Sequence, residues 1–330
     1  MKHRINYIDI AKGFLILYLV VFHFRWGTMK AGINCNEYLY LLDYTKIISC
    51  FFMPAFFILS GYCSSFNTNF VNFAKKNTLH IFLPMVFFSL ASYALGTLFY
   101  GKSFDYGKAT YGQYINFWFL SSLYFSKFGL WCMIRYSLNT FVMILLSMLT
   151  MLSGAIWFYK TSEYNFLALN MALFSFPFVV MGYLLKHNQT AYKLLLRYSV
   201  VAYIVTFVLY LLLFKKIGIF VNMSIPWIYE LPLYFILSVF GTFSLLFVSC
   251  KIRKNRILEF FGRNTLLFYC THIVLFPYIV SVCFKYFYWD RTLMQFLICC
   301  ILCFVTQLIV WLLCEHVFRY KPFKYLLGQF

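Results

Sequence analysis

Charged side chains are scarce in this sequence, and acidic ones are the scarcest. Only 11% of the 330 residues are charged, with nine Asp and Glu against 28 Lys and Arg, while 63% are hydrophobic. An ordinary soluble domain is about 25% charged and about 45–50% apolar. Polar stretches longer than about 15–20 residues are also missing, which excludes a separate soluble domain. The composition therefore predicts a single all-α integral membrane domain over residues 1–330, embedded in the lipid bilayer.

Other features that the sequence lacks limit the functions that the protein can have. The sequence shows no internal repeat and no low-complexity tract. Nearly all of the eleven Cys fall inside apolar runs such as "LICCILCF", where a small apolar filler is a better interpretation than a metal site or a disulfide framework. We therefore expect no metal. The net charge of +19 does not predict a nucleic-acid partner, because basic residues of a multi-pass protein collect in cytoplasmic loops and set its topology.

The sequence holds ten candidates for spanning helices, each of which needs about 20 mostly apolar residues. A kink or a break is expected at Pro54, inside the second candidate. If the N-terminus is cytoplasmic, the inner segments hold sixteen basic residues and one acid, and the outer ones hold nine basic residues and five acids. This bias predicts a multi-pass protein of the plasma membrane with both termini cytoplasmic. The candidates cover roughly 6–24, 41–65, 78–100, 117–134, 139–159, 165–185, 198–214, 231–249, 264–284 and 293–317.

The first candidate contains three ionisable side chains within "DIAKGFLILYLVVFH". Lys12 and His23 are eleven residues apart, which leaves them about 20° from eclipsed and about 16 Å apart along a helix axis. Asp9 lies three residues before Lys12, close enough to pair with it. One helix face therefore carries a stripe of five residues: Asp9, Lys12, Ile16, Leu19 and His23.

These side chains have more than one interpretation. Asp9 and Lys12 suit a snorkelling ion pair at the cytoplasmic end of the helix. His23 suits either an interfacial position near Arg25 and Trp26 or the wall of a cavity. In a cavity, a neutral imidazole can take a proton from a hydroxyl near pH 7.

Polar residues also occur in later candidates. Ser60 in "FFMPAFFILSGY" is typical of close helix packing. In "FGRNTLLFYCTH", Asn264 or Thr265 is the expected N-cap, and His272 is a second candidate for a cavity histidine. Lys127 lies deep in the fourth candidate, which indicates either an interior position or a helix that ends early.

The order of these motifs is similar to that in a known family. "YIDIAKGFLILYLVVFH" resembles the opening signature of the membrane acyltransferase-3 family, which has an Asp, a basic residue before Gly, and a final His. In the family ten residues separate the basic residue from the His, as they separate Lys12 from His23. "FFMPAFFILSGY" resembles the second signature, and "WFLSSLYF", "FPFVVMGYLLK" and "FGRNTLLFYCTHIVL" resemble weaker later blocks.

The resemblance implies a bundle of about ten transmembrane helices that moves an acyl group, usually acetyl, from cytoplasmic acyl-CoA to a glycan hydroxyl. The acceptor would be a surface glycan or its lipid-linked precursor. His23 matches the essential family histidine and Lys12 its basic partner. Many members carry W-S-L-x-x-E in mid-chain, but Trp118 is followed by "FLSSL", without the Glu. The chain is therefore closer to the small branch of fucose 4-O-acetylase-like and capsule or exopolysaccharide O-acetyltransferases.

On this hypothesis the candidate residues form three groups. In the catalytic group of Asp9, Lys12 and His23, the imidazole deprotonates the acceptor or carries the acyl group, and Lys12 either holds the donor or neutralises Asp9. The acceptor-binding group is Ser60, Trp118, Asn264 and His272. The group expected to bind acetyl-CoA lies in the loop "KIRKNR" and consists of Lys251, Arg253, Lys254 and Arg256. This loop equally suits a topology signal or the binding of anionic lipid. Because His23 lies toward the outer leaflet, we expect a cavity through the bundle.

Two other functions fit part of the pattern. A transporter or flippase for a polysaccharide precursor also uses buried Asp, Lys and His, although the missing repeat is evidence against it. A second family of multi-pass O-acyltransferases relies on an intramembrane Asn and His, and Asn264 and His272 are the nearest match here.

Overall fold

The computed structural model describes residues 5–30, 46–100, 117–161, 166–214, 230–252, 254–272, 274–275 and 293–317. Within these ranges the chain is helical and contains no strand, as predicted. A π-helical turn, Thr78–Phe82, joins α3 to α4, and a 3₁₀ turn, Phe166–Ala168, precedes α7. The helices are α1 Asn6–Lys30, α2 Lys46–Cys63, α3 Phe70–Asn77, α4 Leu83–Tyr100, α5 Trp118–Arg135, α6 Thr140–Thr161, α7 Leu169–His187, α8 Gln189–Phe214, α9 Leu231–Lys251, α10 Arg256–Arg263, α11 265–272 and α12 Leu293–Val317.

Several of these helices are built for a bilayer. Within the described part of the chain, five helical stretches are long and apolar enough to cross a membrane: Phe70–Leu98, Thr140–Thr161, Leu169–His187, Gln189–Leu213 and Leu231–Lys251. α6 and α8 also expose rows of Leu, Ile and Val, a surface typical of contact with lipid. The chain is therefore a membrane protein, whereas the ten spans and the cytoplasmic termini stay predictions.

Some helices begin earlier than the hydropathy pattern predicted. The third candidate was expected from residue 78, but the helix begins at Phe70. The seventh was expected from 198, but α8 begins at Gln189. In both cases the first turns are polar or basic, so an apolar run does not reveal them. Of the candidate 264–284, the residues after 275 lie outside the described part.

Asn264 directly precedes α11, as the predicted N-cap would, and it also ends α10. A cap that the pattern did not predict lies about two and a half turns earlier, at the start of α10, where the side chain of Asn255 accepts hydrogen bonds from the N–H groups of two α10 residues at 3.1 and 3.0 Å. The amide of Asn264 instead donates to the carbonyl of Phe260 at 2.9 Å. Asn255 stands in a basic loop, which is why the sequence pattern attributed that region to topology rather than to a cap.

Pro54 does not break α2, which is continuous from Lys46 to Cys63, so of the two predicted alternatives the break is wrong and the kink stays a prediction. Proline has no N–H to donate to the carbonyl four residues earlier, which here belongs to Cys50. The buried hydroxyl of Ser238, on α9, donates to that carbonyl at 2.8 Å. An unsatisfied carbonyl in lipid costs several kcal/mol, so this bond completes α2 and joins α9 to it.

α1 packs directly against α10 and α11. A Cβ on Gly13 would lie 2.1 Å from a carbonyl oxygen of α10, and a Cβ on Gly262 would lie 1.8 Å from a carbonyl oxygen of α1. Further along the same helices, the ring centroids of His23 and His272 are 4.9 Å apart. Gly13 meets Leu258, whereas the earlier residue Asp9 meets the later residue Gly262, so α10 crosses α1 in the opposite direction. From Gly262 to His272 the chain then advances along α1 from Asp9 to His23, so α11 follows α1 in the same direction.

Three serines join α5 to the start of α7. Their donors and acceptors are equally spaced along the chain, so these two helices are also parallel. Small hydroxyl side chains at such a contact allow close approach and form interhelical hydrogen bonds. The three serines occupy one face of α5, and another face of this helix lines the cavity described below. The bonds run from Ser121 to the carbonyl of Leu167, from Ser122 to that of Ala168, and from Ser126 to that of Ala172.

Replacing Ser238 by Ala is expected to lower the free energy of unfolding by about 1–3 kcal/mol, because the carbonyl of Cys50 loses its donor. Thermal unfolding in detergent measures the effect. The matched control is Ser244→Ala, also on α9, whose hydroxyl donates only within its own helix at 2.7 Å.

The background Pro54→Ala restores an N–H for the same carbonyl. In that background the cost of Ser238→Ala is expected to fall to that of the control. An equal cost in both backgrounds would show that Ser238 does not compensate for the proline.

Candidate functional site

A cavity of about 600 Å³ lies between α1, α2, α3, α5 and α10–α11. The part of its lining nearest the start of α1 carries the charged residues Asp9, Lys12, Lys76, Lys127 and Arg263. The residues farthest from that end on α2, α5 and α11 are aromatic: Phe56, Phe119 and Tyr269. On α5 the two regions are eight residues apart, or about 12 Å. The cavity therefore has a charged end and an aromatic end.

The charged end has an excess of positive charge. Lys127 is half-buried and lies close enough to Lys12 and Lys76 to be affected by their charges. Asp9 is the one carboxylate in the described lining. Because like charges repel, lysines that share a cavity favour an anionic ligand. Among the described side chains no cluster of three or more His, Cys, Asp or Glu could hold a metal ion.

Two carboxylates flank Arg263 at the edge of this region. Its Nη2 donates to Oε2 of Glu259 at 2.8 Å, and its Nε lies 3.8 Å from Oδ2 of Asp9. Asp9 and Glu259 are buried, while the arginine side chain is 46% exposed. The geometry thus gives Asp9 an ion pair with Arg263 of α10, while the predicted pair with Lys12 stays a prediction.

Beyond the aromatic end lie two histidines. Nδ1 of His23 is 3.0 Å from the carbonyl oxygen of Leu19, and Nδ1 of His272 is 3.0 Å from that of Phe268. A carbonyl only accepts, so each Nδ1 carries the hydrogen. In the neutral ring, Nε2 is then the nitrogen that can accept a proton. His272 is fully buried and His23 half-buried, so the pair presents two oriented proton acceptors.

Tyr269 connects the cavity to the histidine pair. It lines the cavity, and its ring centroid is 5.7 Å from that of His272, which in turn is 4.9 Å from that of His23. Neither histidine is part of the lining. The described cavity therefore extends as far as Tyr269, and its continuation through the bundle stays a prediction.

The structure brings together most of the candidate residues predicted on α1, α2 and α11. Asp9, Lys12 and Ser60 line the cavity, while His23 and His272 form the pair behind it. The two ends of the predicted stripe of α1, Asp9 and His23, thus lie against α10–α11. Their roles in a reaction stay predictions, since geometry alone assigns none.

Other candidate residues lie elsewhere. Trp118 is half-buried at the start of α5, with its ring centroid 6.4 Å from that of Phe119. Asn264 is outside the cavity lining. Of the four basic residues assigned to acetyl-CoA, three are exposed and outside the cavity lining: Lys251, Lys254 and Arg256. The fourth, Arg253, lies outside the described residues.

The sequence pattern missed several lining residues. Lys76 and Arg263 belong to the sixteen basic residues that predict the topology, and Phe119 and Tyr269 are not among the candidate residues although they lie in motifs that resemble the family. Lys127 was noticed, but the alternative that its helix ends early is wrong, because α5 continues to Arg135. A signal for Tyr269 was present, since it lies three residues before His272 and therefore on the same face of a helix.

A family model described as an acyltransferase domain matches residues 5–315. No curated protein and no solved structure matches the chain. The matched range includes the charged cavity, the aromatic residues and both histidines.

The tautomers of the pair can be measured directly. In protein labelled with ¹⁵N at histidine, His23 and His272 are expected to show protonated Nδ1 and unprotonated Nε2, because both Nδ1 atoms face carbonyl oxygens. Spectra of His23→Phe and His272→Phe assign the signals among the six histidines, and exposed His316 is the internal reference. A protonated Nε2 on a neutral His23 would contradict the geometry.

Proposed function

The chain belongs to the acyltransferase-3 family of membrane proteins, and from this premise we propose that it transfers an acetyl group from cytoplasmic acetyl-CoA to a glycan hydroxyl. The acceptor is a surface glycan or its lipid-linked precursor, and the enzyme is a multi-pass protein of the plasma membrane. The observation that carries the proposal is the order along α1, where a cavity with a positive end precedes a pair of proton-accepting histidines.

The charged end of the cavity suits the donor. The nucleotide end of acetyl-CoA carries several phosphate charges, and Lys12, Lys76 and Lys127 supply cations for them. A volume of about 600 Å³ is in the range of sites that enclose most of a small ligand. The predicted topology gives further support, because it places the start of α1 and Lys76 on the cytoplasmic side, where acetyl-CoA is found.

His23 supplies the base for the transfer. Its Nε2 takes the proton of the acceptor hydroxyl, and the oxygen attacks the carbonyl carbon of the thioester. When the tetrahedral intermediate collapses, the C–S bond breaks and the thiolate of CoA takes the proton back from the imidazolium. Transfer through an acyl-His23 intermediate uses the same nitrogen and is the alternative route.

His272 acts beside that base. Its ring is in edge contact with the ring of His23, and its Nδ1–H bond to Phe268 fixes the orientation. A rotated His23 would lose the alignment of Nε2, and misplacing a catalytic group by about 1 Å can cost about 10²-fold in rate. We therefore assign His272 to positioning.

His23→Ala is expected to abolish O-acetylation while the protein level and the glycan polymer stay normal, because the base is lost. Mass analysis of surface glycan from cells with the wild-type gene, the variant and a deletion measures this. The control is His316→Ala, an exposed histidine of α12 that is expected to retain full acetylation.

Two outcomes would contradict the proposal. Normal acetylation in His23→Ala would exclude the histidine as the base. Loss of the polymer itself in the deletion strain would indicate export, which is the function of the transporter alternative.

Lys127→Met is expected to raise the KM for acetyl-CoA by about tenfold or more with a smaller change in kcat, because a charge-assisted contact to phosphate is worth about 1.5–3 kcal/mol. Lys251→Met tests the basic loop as the donor site in the same assay. Lys193→Met, an exposed lysine of α8, is the matched control. A raised KM in Lys251→Met alone would place the donor on the loop and not in the cavity.

A further inference from the structure

Three aromatic rings from three helices line the end of the cavity that lies away from the charged residues. The ring centroid of Phe119 on α5 lies 5.8 Å from that of Phe56 on α2 and 5.3 Å from that of Tyr269 on α11. All three residues are buried and all three line the cavity. We refer to Phe56, Phe119 and Tyr269 as the aromatic wall.

A second layer supports the aromatic wall from behind. The ring of Phe57 lies 4.8 Å from that of Phe119, and the ring of Phe117 lies 5.9 Å from that of Tyr269. Phe57 and Phe117 are fully buried. Because close-packed protein interiors have few voids, the rings of the aromatic wall have little room to move away from the cavity.

The wall lies between the charged end and the histidines. On the cavity side the nearest cation of α5, Lys127, is about 12 Å from Phe119 along the helix. On the other side, the ring of Tyr269 touches that of His272, which touches that of His23. A donor whose phosphates bind the lysines therefore brings its acyl end against the aromatic wall before it reaches the base.

We propose that the aromatic wall limits the acyl group to short chains, and that Phe119, which contacts both other rings, is the residue that sets this limit. The inference rests on the proposed function and identifies which donors it accepts. A methyl group needs a small displacement of Tyr269, whereas each added methylene needs volume that the packed second layer does not offer. One methylene in a tight apolar pocket changes discrimination by about 10–200-fold.

The test compares acyl donors in membrane vesicles from cells that carry the gene. Vesicles receive acetyl-, propionyl-, butyryl- or hexanoyl-CoA labelled in the acyl group, and label in the glycan fraction gives kcat/KM for each donor. The wild type is expected to prefer acetyl-CoA to butyryl-CoA by more than tenfold. Phe119→Ala is expected to reduce this preference at least tenfold, because the deleted ring leaves room for the longer chain.

The matched control is Phe178→Ala, which deletes an equally large, fully buried ring of α7 that packs on Tyr234 and Phe235, outside the cavity. It is expected to lower thermal stability without changing the donor ratio. Phe119→Leu and Phe56→Leu keep the test valid if Phe119→Ala does not accumulate, since they remove less volume from the fold.

The outcomes separate this inference from the function that it rests on. A wild type that uses butyryl-CoA as well as acetyl-CoA overturns the role of the wall, as does an unchanged donor ratio in an active Phe119 variant. A wild type that transfers label from none of the four donors overturns the proposed function, and the inference with it.

Discussion

The arrangement of this protein depends on the direct backbone contact between α1 and α10. Gly13 and Gly262 leave no space for a Cβ on either side, so the two helices approach as closely as backbones allow. This contact brings Asp9 beside Arg263, and α11, which follows α10, brings His272 beside His23. Any larger side chain at either glycine would separate the helices and with them both halves of the site.

The second constraint is that polar groups inside an apolar bundle must find partners within it. Here those partners also hold helices together, as in the bond from Ser238 to the carbonyl that Pro54 leaves free. The serines of α5 have the same double role toward α7. Five charged side chains, four of them cationic, line one cavity, where they can meet an anion. In the proposed function, the aromatic wall thus lies between the region that binds the charged donor and the histidines that move a proton.

Much of the site could be predicted from the sequence where a single helix carries the information. The spacing of Asp9, Lys12 and His23 shows one face because an α-helix has a constant rotation per residue. The position of Lys127 in the cavity and the partner of Asp9 could not be predicted in this way, since both depend on α5 and α10 approaching α1. The break expected at Pro54 was wrong for the same reason, because the compensating hydroxyl lies 188 positions from Cys50.

By itself, the sequence determined the membrane environment, the helical fold class and the order of motifs along the chain, because these follow from local hydrophobicity and periodicity. Only the tertiary structure decided which helices touch. It therefore decided that His23 and His272 form a pair, that three lysines from three helices share a cavity, and that Phe119 and Tyr269 line the same cavity. The physical reason is that most spanning helices here are apolar on all sides, so the sequence pattern does not indicate which face meets which neighbour. Small residues and single hydrogen bonds determine which helix faces meet, and these contacts form only when the helices are packed.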